Sequence, residues 1–358
     1  MIIKKIEFFS KNLLLTKPYT IAYKTITDVE NVFLLVTLEN GIVGIGASNP
    51  DLQVVGESPA DVLKTCQSDF FQKVIGKSIK HFRSMIYDVS IAFPNKPGTL
   101  VLWDIALHDA FAKYLKIPVA AIYGQHIRAL PTSVTIGIMN VDETMRAANE
   151  YIKQGFKVLK IKTGQEVDLD IERVVKVNEK FKNIKIRVDA NQGYEIKDLE
   201  KFINATQNLG LEIIEQPLLV GKETELNQLD KQHRSILVAD ESLKNSKSAI
   251  KFTPSPQPFG VFNIKLMKCG GILSALEIAT IAKVGGIDLF WGCNDESIVS
   301  ITAALHAAFA CVNTKYLDLD GSLDLAEDIV SGGFILKDGM MRISDNPGLG
   351  VELNDIHQ

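Results

Sequence analysis

Between Arg187 and Leu243 three apolar runs each end in an acid: RVDANQGY (187–194), EIIEQPL (212–218) and LVADESL (237–243). Asp189, Glu215 and Asp240 lie 26 and 25 residues apart, about the length of one strand, one helix and two short loops. That period predicts successive parallel strands whose C-terminal ends carry three carboxylates side by side, on the face where barrel enzymes hold their sites. Any one of these acids alone could simply cap the helix that follows it. Their regular recurrence favours a shared site, and oxygen-only ligands on rigid strands suit a hard divalent cation such as Mg²⁺, one per site.

Lysines bracket the three acids. VLKIKTG (158–164) places Lys160 and Lys162 two apart on a β-pattern run, so both side chains point to one side of the strand. That side is inward, because the opposite choice would turn Leu159 and Ile161 into the polar end of the barrel. VFNIKLMKCGG (261–271) ends another run at Lys265, 25 residues past Asp240. One lysine thus approaches the metal from the second strand and one from the sixth, on opposite sides of a closed barrel.

The strand and helix alternation that signals a parallel sheet begins near Pro131. Strands are expected at 133–138, 158–162, 186–189, 212–215, 236–240, 261–265, 287–291 and 316–320, enough to close a barrel. No helix is expected after the eighth strand, since GSLDLAEDIVSGG (321–333) follows at once. The first part reads as α+β, with a hairpin turning at Glu39-Asn40-Gly41 and helices at 58–71 and 99–115. The expected architecture is therefore α/β, a modified TIM barrel of (β/α)7β type with an N-terminal α+β capping domain completed by the C-terminal segment. The boundaries are 1–125 for the capping domain, 126–320 for the barrel with the site, and 321–358 for the returning segment.

The 358 residues, 46% of them hydrophobic, can hold a barrel of about 250 residues and a smaller domain. A net charge of −4, with no basic block at either end, makes nucleic acid and anionic membrane poor partners and leaves a small molecule. The four cysteines form no C-x-x-C pair, and the charged opening MIIKKIEFFSKNLLL does not read as a signal peptide, so the expected compartment is the cytoplasm.

Taken in order, Lys160-Ile-Lys162, Asp189-Ala-Asn191, Glu215-Gln-Pro217, Asp240-Glu241-Ser242, Lys265 with Gly270-Gly271 and the closing Pro347-Gly348-Leu349-Gly350 resemble the enolase superfamily, muconate-lactonizing subgroup. Asp318-Leu-Asp320 before Gly321 resembles the pair that marks the dipeptide epimerases, L-Ala-D/L-Glu epimerase among them. The resemblance implies that Asp189, Glu215 and Asp240 hold Mg²⁺, and that Asp318 and Asp320 hold the ammonium of a dipeptide through charge-assisted hydrogen bonds. It further implies Thr135 near the substrate carboxylate, Asn191 and Glu241 as partners that orient a ligand or a lysine, and the homo-oligomers common in the superfamily.

Such an isomerase inverts the α-carbon of the C-terminal residue by a 1,1-proton transfer. Removing a proton beside a carboxylate places a second negative charge on the same group, and a cation stabilises that enediolate as the charge develops. A lysine with an ordinary pKa of ~10.4 must fall to ~7–8 to serve as base, about 4 kcal/mol of destabilised charge. The metal and the ammonium of Lys160 are expected to supply it. Lys162 then takes the proton from one face and Lys265 returns one to the other.

Specificity is expected from the first domain, whose segment Pro18-Tyr19-Thr20-Ile21-Ala22-Tyr23-Lys24 covers the barrel mouth in this family. Lys24 stands where Ala-Glu epimerases present an arginine and lacks its bidentate fork. With Tyr19 and Ile21 alongside, the expected substrates are Ala-Xaa dipeptides with a small or hydrophobic second residue, Glu being possible. Asp295, in the loop after the seventh strand, is a further contact to the peptide or a cap. The alternatives are o-succinylbenzoate synthase, N-acylamino acid racemase or cycloisomerase activity of the same subgroup and, from another class, a non-catalytic small-molecule binding barrel.

Overall fold

In the computed structural model eight parallel strands run in chain order around one sheet: Val134–Ile136, Val158–Lys162, Lys185–Asp189, Ile213–Glu215, Leu237–Ala239, Val261–Ile264, Asp288–Gly292 and Thr314–Asp318. The structure describes residues 1–21 and 24–354, and the side chains of 17–26 lie outside that description. The first and eighth strands meet through the parallel bridge of Thr132 with Leu317, the Ser133 amide donating to the Leu317 carbonyl at 3.0 Å. This contact closes the barrel. All eight strands fall on their expected segments, shifted at the ends by one or two residues in most cases.

Strands buried on both faces lose the polar alternation of a half-exposed sheet. Leu159, Ile161, Val188, Ile214, Leu237, Ala239, Phe262, Leu289, Trp291 and Leu317 belong to the main core between strands and helices. The alternate residues Ile213, Val238, Val261, Phe290 and Tyr316 form a separate cluster inside the barrel. Arg187 completes that interior layer, its guanidinium 5.0 Å from the Tyr316 ring centre and 5.5 Å from that of Phe290. One layer nearer the C-terminal ends the inward positions turn charged. Period-two geometry therefore places Lys162 directly above Lys160, and Asp189 above Arg187.

The outer helices vary with what covers them. Val141–Lys153 opens on a capping box between Asn140 and Glu143 and faces solvent on one side. Ile298–Phe309 is buried along almost its whole length, because the C-terminal strands pack on the face turned from the barrel. Between the fourth and fifth strands stand only the short turns Glu223–Gln228 and Lys231–Arg234.

The N-terminal part is a three-stranded antiparallel sheet, Ile3–Ile21, Lys24–Leu38 and Val43–Ser48, backed by the helix Pro97–Leu115. Gly44 and Gly46 permit that close packing, since a Cβ on either would lie 2.4 and 2.1 Å from the carbonyls of Ala106 and Leu102. The expected helix at 58–71 divides into Pro59–Cys66 and Asp69–Gln72, each capped by its own serine, Ser58 and Ser68. The segment expected as a loop over the mouth is, in its backbone, the end of a long hairpin, with Tyr19 opposite Ile26 and Ile21 opposite Lys24. The side chains of Tyr19, Ile21 and Lys24 lie outside the described residues.

Past the eighth strand the chain bridges that hairpin through Leu325 and Leu15, then forms Val330–Gly332, Phe334–Lys337, Met340–Ile343 and Val351–Leu353. Asp109 of the long N-terminal helix accepts from the amides of Ile45 and Leu349, both at 2.8 Å, tying sheet, helix and C-terminal segment together. Asp104, one turn earlier, accepts from the amides of Ile272 and Leu273 at 2.7 and 3.1 Å, and so caps a barrel helix from the other part of the chain. Among the described residues no helix is long and apolar enough to cross a membrane.

Candidate active site

Asp189 and Glu215 are the last residues of the third and fourth strands, paired in register, and Asp240 follows the fifth. All three are at most 2% exposed. Buried carboxylates require compensation, and here lysines supply it from both ends of the row. Lys162 Nζ lies 2.7 Å from Asp189 Oδ2, and Lys265 Nζ 3.0 Å from Asp240 Oδ2. Between them Lys160 Nζ lies 3.0 Å from Asp189, 2.7 Å from Glu215 and 2.8 Å from Asp318. The second and sixth strands are four apart in a barrel of eight, so Lys162 and Lys265 face each other across the axis.

Further polar groups hold this arrangement. Asn191, in the left-handed region at φ 41°, accepts from Lys162 at 2.8 Å and donates to Glu241 at 3.3 Å. Asn263 donates to Glu215 Oε1 at 2.6 Å. Gln216, also left-handed, accepts from the amides of Asp240 and Ser242 at 3.0 and 3.1 Å. Beneath the row, Arg187 donates to Ser133 at 3.1 Å, and Ser133 donates to Asp318 at 2.6 Å.

The eighth-strand pair divides. Asp318 faces Lys160 and Ser133, and although burial raises its pKa, Lys160 holds it below the ordinary value. Asp320 lies two residues on, beyond the strand, and accepts from the Thr135 amide at 2.8 Å. Burial and the neighbouring Asp318 push its carboxyl up to about 7. Thr135 is thus placed by its backbone against Asp320. In the seventh-strand loop, Glu296 is buried, accepts from the Asn294 amide at 2.8 Å and is pushed up to about 7, chiefly by burial.

The charges test whether a cation fits. Burial and Asp189 together push Glu215 up to about 8, the mark of a carboxylate row short of positive charge. Burial opposes ionisation of Asp189 and Asp240 as well, yet the lysines beside them hold both far below the usual carboxylate range. As they stand, no three His, Cys, Asp or Glu side chains among the described residues converge to hold an ion, and the Lys160 ammonium lies between Asp189 and Glu215. An oxygen-only row on rigid strand ends fits a hard dication that takes over this neutralising role. The expectation of a lowered lysine pKa is not met by the side chains alone. Burial disfavours the Lys265 ammonium, but Asp240 and Glu215 outweigh it and hold the pKa above its ordinary value. Lowering it requires a dication's charge.

The fold gathers the expected residues Lys160, Lys162, Asp189, Asn191, Glu215, Asp240, Glu241, Lys265, Asp318 and Asp320 at one barrel end. The sequence reading missed Ser133, Arg187, Gln216, Asn263 and Lys268. Lys268 stood in the quoted Lys265-Leu-Met-Lys268 run, where a spacing of three reads as one face of a short helix.

The two parts and the row of strand-end acids define a member of the enolase superfamily. Residues 4–124 match the mandelate racemase / muconate lactonizing enzyme N-terminal domain, and residues 143–357 the enolase C-terminal domain-like family. The chain belongs to that superfamily and is an isomerase of its epimerase and racemase kind. An L-Lys-D/L-Arg epimerase of Desulforapulum autotrophicum is 50% identical over 98% of this chain and 99% of its own. Its counterpart in Methylococcus capsulatus is 41% identical over 99% and 100%. The crystal structure of dipeptide epimerase from Methylococcus capsulatus complexed with Mg and the dipeptide L-Arg-D-Lys has a TM-score of 0.95, covering 98% of this chain and 99% of that one at 41% identity.

Proposed function

We propose that this protein is a dipeptide epimerase that inverts the α-carbon of the C-terminal residue, with Mg²⁺ held by Asp189, Glu215 and Asp240, on dipeptides of cationic residues. The observation that supports it is the pair of lysines, Lys162 and Lys265, at opposite ends of one buried acid row. When bound, Mg²⁺ supplies positive charge beside the substrate carboxylate, which makes the α-proton acidic enough to move. Lys162 removes or returns that proton from the second-strand side, and Lys265 does the same from the sixth. Lys160 adds a fixed positive charge, and Asn191 keeps Lys162 aimed inward. Asp320 accepts from the dipeptide ammonium, and Asp318 keeps Lys160 in place.

The cationic preference is supported by two relatives 50% and 41% identical over 98% and 99% of the chain, both named for lysine and arginine. It departs from the Ala-Xaa expectation, which rested on Lys24, Tyr19 and Ile21. A panel of dipeptides incubated in D₂O with Mg²⁺ separates the readings. Deuterium entering the C-terminal α-position fastest in Lys- and Arg-containing peptides supports the cationic reading, whereas faster entry in Ala-Xaa peptides restores the earlier one. No label in any peptide overturns epimerisation.

A further inference from the structure

The geometry points to Lys268 as a positioning residue that leaves Asp240 one free oxygen, and so sets the site for a small octahedral dication against Ca²⁺; this rests on the proposed reading of Asp240 as a metal ligand. Lys268 is 7% exposed and stands one turn after Lys265 on the short helix Leu266–Cys269. Its ammonium donates to the Asp240 carbonyl at 2.5 Å, to the Asn263 carbonyl at 3.3 Å and to Asp240 Oδ1. Three N–H groups meet three acceptors, so this lysine is saturated. Two of the acceptors are backbone carbonyls at the ends of neighbouring strands, fixed whatever occupies the site.

The consequence lies in the other oxygen. With Oδ1 held by Lys268, Asp240 presents only Oδ2 to the interior, where Lys265 now stands 3.0 Å away. Glu215 is limited in the same way, Asn263 donating to its Oε1. Mg²⁺ takes one oxygen from each of a few carboxylates in strict octahedral geometry, whereas Ca²⁺ takes six to eight oxygens and gains from bidentate carboxylates. Denying Asp240 a bidentate mode therefore costs Ca²⁺ more than Mg²⁺.

Calorimetric titration of the metal-free full chain with Mg²⁺ and Ca²⁺ tests this without reference to turnover. Wild type is expected to bind Mg²⁺ more tightly than Ca²⁺, and Lys268→Met to shift the ratio toward Ca²⁺ by about tenfold, within the range by which partners of metal ligands alter affinity. Lys268→Gln keeps donors for the carbonyls without the charge and is read if the methionine variant does not fold. Lys268→Arg, which keeps the hydrogen bond to Oδ1, is expected to retain the wild-type ratio. A wild type that binds Ca²⁺ as tightly as Mg²⁺, or a folded methionine or glutamine variant with an unchanged ratio, overturns the inference alone. A wild type that binds neither ion overturns the metal reading beneath it.

Discussion

Lys162 and Lys265 close opposite ends of one carboxylate row, the first 2.7 Å from Asp189 and the second 3.0 Å from Asp240. Each reaches the interior from a strand diametrically opposed to the other's, and the proposed reaction has each address a different face of a carbon between them. Lys162→Ala and Lys265→Ala are each expected to lose about 10²- to 10⁴-fold in epimerisation, the usual range for a positioned acid or base. Each should still exchange solvent deuterium into one epimer and not the other, the epimers being opposite in the two variants. Proton NMR in D₂O reads this, and loss of exchange from the same epimer in both would place the lysines on one face.

Asp320 predicts how binding depends on pH. Its carboxyl, pushed up to about 7 by burial and Asp318, is largely protonated in mildly acidic solution. A dipeptide ammonium favours the carboxylate, so affinity is expected to fall as pH drops through about 7, with a proton released on binding below that pH. Masking the substrate amine by acetylation should weaken binding and flatten the dependence. For stability the sign is opposite: an acid whose folded pKa is raised favours the protonated fold, so its contribution declines as pH rises from about 4 to about 7. Asp320→Asn should remove that decline, as read by urea unfolding at successive pH values.

His306 supplies a control remote from the acid row. It lies in the buried helix Ile298–Phe309, and its Nδ1 accepts from the Ala120 amide at 3.1 Å. Burial pushes its pKa down to about 4 from 6.5. The unfolded chain gains a proton near 6.5 that the folded one refuses until about 4, so stability is lost as pH falls through that window. The loss amounts to about 3 kcal/mol at its limit. In His306→Gln this part of the acid sensitivity should vanish, measured as the difference in denaturant midpoint between pH 7 and pH 4.

Asp104 ties the two parts of the chain at the turn that follows Lys265. It receives two amides at the start of the helix Ile272–Val284, and a Cβ on Gly271 would meet its own Cβ at 2.5 Å. Asp104→Ala leaves both donors buried without an acceptor and should cost about 1–3 kcal/mol. Thermal unfolding measures it, and a loss well under 1 kcal/mol would show that the helix start finds other acceptors.

The barrel and its acid row were legible because strand-ending acids recur at one interval and because lysines inside apolar runs can only face inward. The hydrogen-bond partners were not. Gln216 and Asn263 are single amides with no period, and their roles depend on left-handed backbone and cross-strand register that emerge only on closure. Lys268 carried no reading of its own, because only the one-turn helix Leu266–Cys269 brings its ammonium to Asp240. The different contacts of Asp318 and Asp320 were hidden for a related reason: the strand ends between them, so Asp318 meets Lys160 and Ser133 while Asp320 meets the Thr135 amide. The balance of charge around Lys265 was not legible either, since without a cation the buried Asp240 and Glu215 outweigh what the neighbouring Lys160 ammonium does to it.

In the proposed reaction one substrate carbon sits between two amines. A crystal structure of the full chain with Mg²⁺ and a Lys- and Arg-containing dipeptide tests it most directly. The C-terminal α-carbon is expected between Lys162 Nζ and Lys265 Nζ, one on each face, with the ion on Asp189, Glu215 and Asp240. Both amines on one face of that carbon, or an ion bound away from the three acids, would contradict it.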